Sequence, residues 1–251
     1  MNPKLVHTSY HKCLTVYFSR VLGRLYNRTL PLSRGYKHFN SRIDEFYREA
    51  GNYRVASVNN HALDLDRLGP ARVSRFIRDP RDLVVSGYFY HRRGAEPWCN
   101  VVGPGESDWA TTNGNPPARM GRNQSFTDYL RGLSEEDGLL AEAEYRKHHF
   151  ASMLRWPGDK ENIRTYRYEN IVGNEEAAFR DLFSFYGLSW TERFLGLRLA
   201  RKFAAGRQSD STTHIRNPKP AQWREYFTPR ISAYFAENYG AVLQRYDYPP
   251  D

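Results

Sequence analysis

Apolar positions along this chain follow two periods in turn. Short runs rich in β-branched and aromatic residues alternate with longer stretches in which apolar residues recur every three or four positions. Leu5-Val6-His7-Thr8-Ser9 predicts a first strand. Residues 15–27, with Val16, Leu22 and Leu25 at apolar positions, predict a helix, and a polar helix around 42–50 ends at Gly51. Residues 53–58 predict a second strand and 73–77 a third. Asp79-Pro80 then opens a helix carrying Leu83, Val84, Val85, Tyr88 and Phe89, because proline fits the first helical turn. From 94 to 123 the periodicity gives way to Gly, Pro, Asn and Trp, the pattern of a functional or mobile loop. Helices resume at 125–133 and 135–156, a fourth strand covers 162–168, and helices follow at 175–186 and 191–204. Residues 206–221 read as a polar loop and 229–239 as a last helix. There is no internal repeat.

Strands alternating with helices predict an α/β fold, a central parallel β-sheet flanked by helices. In such sheets ligands bind beyond the carboxyl ends of the strands. The first strand runs into a loop holding Lys12 and the third into Arg78, so both residues are expected at one crevice.

Composition narrows the class. With 251 residues, 40% of them hydrophobic and 15% aromatic, the chain is globular and can bury a substantial core. Its formal charge of +9 predicts an anionic partner: nucleic acid, an acidic membrane surface, or a phosphorylated or sulfated small molecule. Two cysteines, Cys13 and Cys99, do not make a disulfide framework, which favours a reducing compartment. No apolar run approaches the ~18 residues of a transmembrane helix. The opening MNPKLVHTSYHK lacks the apolar core of a signal peptide. A cytoplasmic protein without a transmembrane segment is expected.

Two segments carry candidate chemistry. Tyr10-His11-Lys12-Cys13-Leu14-Thr15 joins a strand to a helix N-terminus, where unpaired N–H groups and the helix dipole favour an anion. It is not a Walker A loop, since the glycines and the Lys-Ser/Thr pair are missing. On this evidence alone Lys12 reads equally as a solvated loop lysine. Ser74 to Ser86 is more specific. Arg78 closes a strand and offers a planar fork of donors suited to phosphate, and Ser86 lies about two helical turns further on. The plain alternative is a surface network among Arg78, Asp79, Arg81 and Asp82.

Together these segments resemble the sulfotransferases that use 3′-phosphoadenosine 5′-phosphosulfate (PAPS). Ser9-Tyr10-His11-Lys12-Cys13-Leu14-Thr15-Val16-Tyr17 lies over that family's T-Y-P-K-S-G-T-T-W loop, and Arg78-Asp79-Pro80-Arg81-Asp82-Leu83-Val84-Val85-Ser86 over its R-N-P-K-D-x-x-x-S element. Tyr166-Arg167-Tyr168-Glu169-Asn170-Ile171 takes the place of its Y-E-D-L segment. The stretch from His214 to Phe227, with Arg216, Asn217, Lys219 and Trp223, resembles its R-K-G-x-x-G-D-W region.

The resemblance implies a single P-loop-like sulfotransferase domain over 1–251, with a variable acceptor-side insert at 94–123. It implies transfer of a sulfuryl group from PAPS to an acceptor hydroxyl on a small molecule, glycan or lipid, giving a sulfate ester and 3′,5′-ADP. Lys12 would be catalytic. Lys12, Cys13, Leu14, Thr15, Val16 and Tyr17 would hold the 5′-phosphosulfate side, with Tyr17 stacking on adenine. Arg78, Ser86, Tyr168, Arg216, Asn217 and Lys219 would complete the nucleotide site. Leu14 stands where the family has glycine, Cys13 where it has serine, and Pro218 where it has glycine. His61, after the second predicted strand, is the expected base, with Glu49, Asp64 and His11 in reserve. Tyr10, Trp98 and Trp109 are candidates for shaping the acceptor pocket. No metal is called for, and no nucleic acid is expected as partner. The competing readings are a nucleotide-dependent kinase on a related sheet and a basic nucleic-acid-binding protein.

Overall fold

The computed structural model describes residues 3–30, 34–204 and 217–249. They fall into two compact units, one drawn from residues 1–78 and 157–218, the other from 79–156 and 219–251.

The first unit is built on a five-stranded sheet: β1 (Lys4–Ser9), β2 (Tyr36–His38), β3 (Val55–Asn59), β4 (Ala71–Ile77) and β5 (Ile163–Arg167), in the order β2-β3-β1-β4-β5. Every pairing is parallel. β1 beyond Lys4 and all of β3 are buried, as strands covered on both faces must be. Four strands are predicted by the pattern and five are found. The extra one, β2, is a three-residue edge strand, too short to show a period.

Helix α1 (Thr15–Arg24) continues as one π-helical turn, Leu25–Thr29, and packs on the sheet. Phe18 stacks on His7 with ring centroids 3.7 Å apart and meets Phe76 edge-on at 5.8 Å. Phe18, Val21 and Leu22 are fully buried, each contributing roughly 1.5–3 kcal/mol. Also in this unit are α2 (Ile43–Glu49), α3 (Leu65–Leu68), α9 (Tyr168–Ile171), α10 (Glu175–Phe185) and α11 (Trp190–Phe203).

A polar rung crosses the sheet beneath α1: His38 pairs with Ser57, Ser57 with His7, and His7 with Ser74. Its hydrogen bonds have a fixed sense. The Tyr186 hydroxyl donates to the Val6 carbonyl (2.7 Å), so the Ser74 hydroxyl donates to Tyr186 (2.7 Å), and His7 Nδ1–H donates to Ser74 (2.7 Å). A neutral His7 with its proton on Nδ1 satisfies this sense. Burial, reinforced by His38, holds its pKa well below the usual histidine value.

The second unit contains α4 (Pro80–Arg92), α5 (Glu106–Ala110), α6 (Phe126–Gly132), α7 (Glu135–Tyr145), α8 (Lys147–Leu154), α12 (Trp223–Tyr226) and α13 (Pro229–Arg245). Asp79 caps α4, its carboxylate accepting the Arg81 N–H at 2.9 Å. The predicted helix over 135–156 is broken at Arg146 (φ −83°, ψ 3°) without a glycine or proline to mark the place. The fully buried Glu142 carboxylate receives His91 Nδ1 at 2.8 Å and Arg146 Nε at 2.8 Å. Gly87 lies against this group, and a Cβ there would collide with Glu142 and Arg146. The 94–123 insert is packed here: Trp98 stacks on Tyr145 (5.3 Å) and Trp109 sits edge-on to Phe126 (5.6 Å).

The surface Arg–Asp network is a correction. Arg81 is 2% exposed and Asp82 not at all. Arg81 pairs with Asp79 at 2.8 Å and lies 3.5 Å over the Trp223 ring. The two oxygens of Asp82 accept the N–H groups of Ala221 (2.8 Å) and Trp223 (3.0 Å), which fixes the start of α12.

Candidate functional site

The carboxyl ends of four adjacent strands in the first unit each deliver a candidate side chain. In sheet order these are His61 after β3, Lys12 after β1, Arg78 after β4 and Tyr168 after β5.

The loop after β1 is tightly wound. Lys12 (φ 71°) and Leu14 (φ 57°) both adopt left-handed backbone, and between them Cys13 N–H donates to the Tyr10 carbonyl at 2.9 Å. Leu14 thus holds the conformation that glycine favours, at a cost of roughly 1–2 kcal/mol. Leu14 is also the N-cap residue of α1 and supplies no side-chain cap, and the first turn holds no acid. The helix N-terminus therefore keeps its positive end and unpaired N–H groups for an outside anion. Thr15 shares a hydrogen bond with Ser9 (2.7 Å) and reaches the Tyr10 carbonyl (3.3 Å), so its hydroxyl is held at the loop. Cys13 is fully buried, and burial pushes its thiol pKa up, assisted by Glu169 and opposed by Arg78 and Arg75.

Arg78 reaches this loop. Its Nη1 approaches the Lys12 carbonyl at 3.5 Å, and its guanidinium lies 4.1 Å over the ring of Tyr168. Tyr168 in turn donates its hydroxyl to the Pro218 carbonyl at 2.8 Å. Three segments far apart in sequence thus meet on one guanidinium. Arg78 is 2% exposed and offers a planar fork of donors that suits phosphate.

On the other side of the loop, Asn60 makes the connection. Its Oδ1 accepts the His11 N–H (2.8 Å), its own N–H donates to the Ser9 carbonyl (2.9 Å), and its Nδ2 donates to Ser41 Oγ (3.0 Å). The Ser41 carbonyl accepts His61 Nε2–H at 2.8 Å. In neutral His61 that contact puts the proton on Nε2 and the basic lone pair on Nδ1. The other candidate bases are placed differently. Glu49 is paired with Lys37 at 3.1 Å, and Asp64 caps α3 by accepting the N–H groups of Asp66 and Arg67.

Tyr17 departs from expectation. It is 8% exposed, its hydroxyl donates to the Ala200 carbonyl (2.9 Å) and its ring packs on Phe179, so no open face remains for stacking. Val16 is the exposed neighbour, at 45%. Asn217 is half-buried. Ser86, partly exposed on α4, and Lys219, exposed ahead of α12, belong to the second unit. Arg216 lies outside the described residues. Asn60 and Ser41 are the residues sequence reasoning missed. The one available signal was the Asn59-Asn60 pair at a strand end, a common place for a left-handed turn.

Solved structures share this arrangement of strands and helices. Mouse sulfotransferase SULT7A1 complexed with PAP superposes with a TM-score of 0.55 at 17% identity, over 97% of this chain and 86% of that one. Retinol dehydratase in complex with androsterone and the inactive cofactor PAP gives 0.54 at 14% identity, over 97% and 82%. The fold is a sulfotransferase fold. Retinol dehydratase in a complex with retinol and PAP gives 0.50 at 15% identity, over 97% and 82%. No protein-family model matches the chain, and no curated protein sequence matches it. Within the sulfotransferase fold, Lys12, Arg78 and Tyr168 sit at the strand ends where such sheets take their ligands. No helix among the described residues is long and apolar enough to cross a membrane.

Proposed function

We propose that this chain is a PAPS-dependent sulfotransferase, moving a sulfuryl group to an acceptor hydroxyl and releasing 3′,5′-ADP. The observation that carries this reading is the meeting of Arg78, the Lys12 carbonyl and Tyr168 at the strand ends, beside an uncapped helix N-terminus. Two cationic places so close together fit a nucleotide phosphorylated twice. The fold shared with proteins crystallised with PAP supports the same nucleotide.

PAPS, when bound, supplies the activated sulfuryl group. The protein's part is positioning and electrostatics. Lys12 and the α1 N-terminus would hold the 5′-phosphate, with Thr15 turning its hydroxyl to it. The Lys12 ammonium would lower the cost of negative charge developing on the phosphate oxygen that leaves the sulfuryl group. Arg78 would bind the 3′-phosphate, with Tyr168 supporting the guanidinium from below. His61 Nδ1 would take the proton from the acceptor hydroxyl as the new sulfur–oxygen bond forms.

The test is a thermal shift with 3′,5′-ADP against ADP, followed by radiolabelled sulfate transfer from PAPS to phenols, sterols and sugars. A larger shift with 3′,5′-ADP is expected. Equal shifts with both nucleotides and no transfer to any acceptor would defeat the proposal.

A further inference from the structure

We infer that the outer face of α11 is a docking surface for an anionic lipid bilayer. Trp190 is 77% exposed and Phe194 48% exposed, and their rings stack with centroids 5.6 Å apart and planes 11° from parallel. Residues four apart on a helix share a face, so this is one continuous aromatic patch rather than two scattered residues. Soluble surfaces rarely leave such a pair in water, whereas tryptophan is favoured where lipid headgroups meet acyl chains.

Charge selects the occupant. The helix WTERFLGLRLARKF carries Arg193, Arg198, Arg201 and Lys202 and a single acid, Glu192. Glu192 is turned inward, 5% exposed, bound to Arg54 at 2.9 Å and to the Tyr26 hydroxyl at 3.0 Å. Arg193 donates to the Leu188 carbonyl, and Arg201 is paired with Glu176. Arg198 and Lys202 are exposed and follow the aromatic pair one and two turns along α11, Arg198 with its guanidinium 5.8 Å from the Phe194 ring centre. An apolar patch beside outward cations, on a chain of net charge +9, complements a negatively charged surface. A second copy of the chain would bring the same cations face to face across a two-fold axis. The stacked rings stand on one helix rather than lining a groove, which suits a broad surface better than a peptide.

The inward side of the same turn of α11 is anchored through Glu192 to Arg54, just ahead of the amino end of β3. The inference does not depend on which reaction the candidate site catalyses.

Vesicle sedimentation tests it, using the full chain with phosphatidylcholine vesicles and with the same vesicles carrying about one-third phosphatidylserine. Binding is expected to the anionic vesicles alone and to fall as salt is raised. Trp190→Ala with Phe194→Ala should reduce it by about tenfold or more. Arg198→Glu with Lys202→Glu should reduce it by roughly thirtyfold. Both double variants should unfold at the wild-type temperature, because the altered side chains are exposed. Failure to bind anionic vesicles, or binding that survives loss of both rings, would overturn the inference. So would a dimer in sedimentation velocity that Trp190→Ala dissociates, since the patch would then serve a second copy.

Discussion

The side chain of Asn60 holds the backbone N–H of His11 at 2.8 Å, while the Asn60 N–H reaches back to the Ser9 carbonyl at 2.9 Å. The turn after β3 is thereby tied to both sides of the Lys12 loop's entry. Because Ser41 links Asn60 to His61, one asparagine sets the spacing between the proposed base and the proposed donor-side lysine. Asn60 is itself left-handed (φ 65°), so Asn60→Gly keeps the backbone and removes only the side chain. The expected result is a fall in kcat of about 10–100-fold, with the affinity for 3′,5′-ADP reduced far less. Steady-state transfer kinetics beside nucleotide titration would separate this from a loss of binding alone.

Arg78 and Lys12 are expected to differ in what they control. Arg78→Ala should abolish the preference for 3′,5′-ADP over ADP. Arg78→Lys should not restore it, since an ammonium cannot lie flat over Tyr168 and offer a planar fork at once. Lys12→Ala should retain much of that preference yet lower kcat by about 100–1,000-fold. Isothermal titration and single-turnover sulfate transfer read the two effects independently. A wild-type rate in Lys12→Ala would remove it from the mechanism.

Leu14 gives a prediction about stability. Its left-handed backbone costs roughly 1–2 kcal/mol, and glycine would relieve this while losing about 0.5–1 kcal/mol to greater freedom of the unfolded chain. Leu14→Gly should therefore leave stability within about 1 kcal/mol of wild type despite deleting a large side chain. Leu14→Val, β-branched at the same φ of 57°, should lose about 1 kcal/mol or more. Urea unfolding midpoints decide this, and a well-tolerated valine would contradict the strained-loop account.

Acid should weaken the sheet at a defined place. Burial, aided by Arg42, lowers the His38 pKa from 6.5 to about 4. The folded protein thus binds fewer protons than the unfolded chain between these values. Stability is full above 6.5 and declines as pH falls toward 4, by up to about 3 kcal/mol for this group. His7, also lowered by burial, acts in the same direction. His38→Asn should flatten this part of the stability profile, measured by denaturant unfolding across the range. An unchanged slope would assign the acid sensitivity elsewhere.

In the second unit, Gly87→Ala should destabilise by about 2 kcal/mol or more. The added methyl group meets the Glu142 and Arg146 side chains, which are fully buried and cannot retreat into solvent. Calorimetry on the variant checks it.

What could be read from the sequence and what could not divide along physical lines. The placement of Arg78 and the Lys12 loop at neighbouring strand ends was legible because a strand end followed by a helix start is a local pattern. The parallel sheet was legible from alternation. Tyr17 was not, because its burial depends on Phe179 and Ala200, more than 160 residues away. Nor was the burial of Arg81 and Asp82, which rests on Ala221 and Trp223 closing over them within the second unit. Asn60 looked like any turn residue until its three partners were seen. Arg146 breaks a helix while being an ordinary helix former, so its residue type gave no sign of the break.

The enclosed thiol of Cys13 makes the Lys12 loop self-reporting. A protonated, fully buried sulfur does not react with alkylating reagents while the loop keeps its shape. Modification then proceeds only through moments when the loop comes apart, and its rate measures how often that happens. A nucleotide that fastens the loop should slow the labelling of Cys13 in proportion to occupancy. Ligand affinity could thus be followed by mass spectrometry with neither an acceptor nor a reaction in hand.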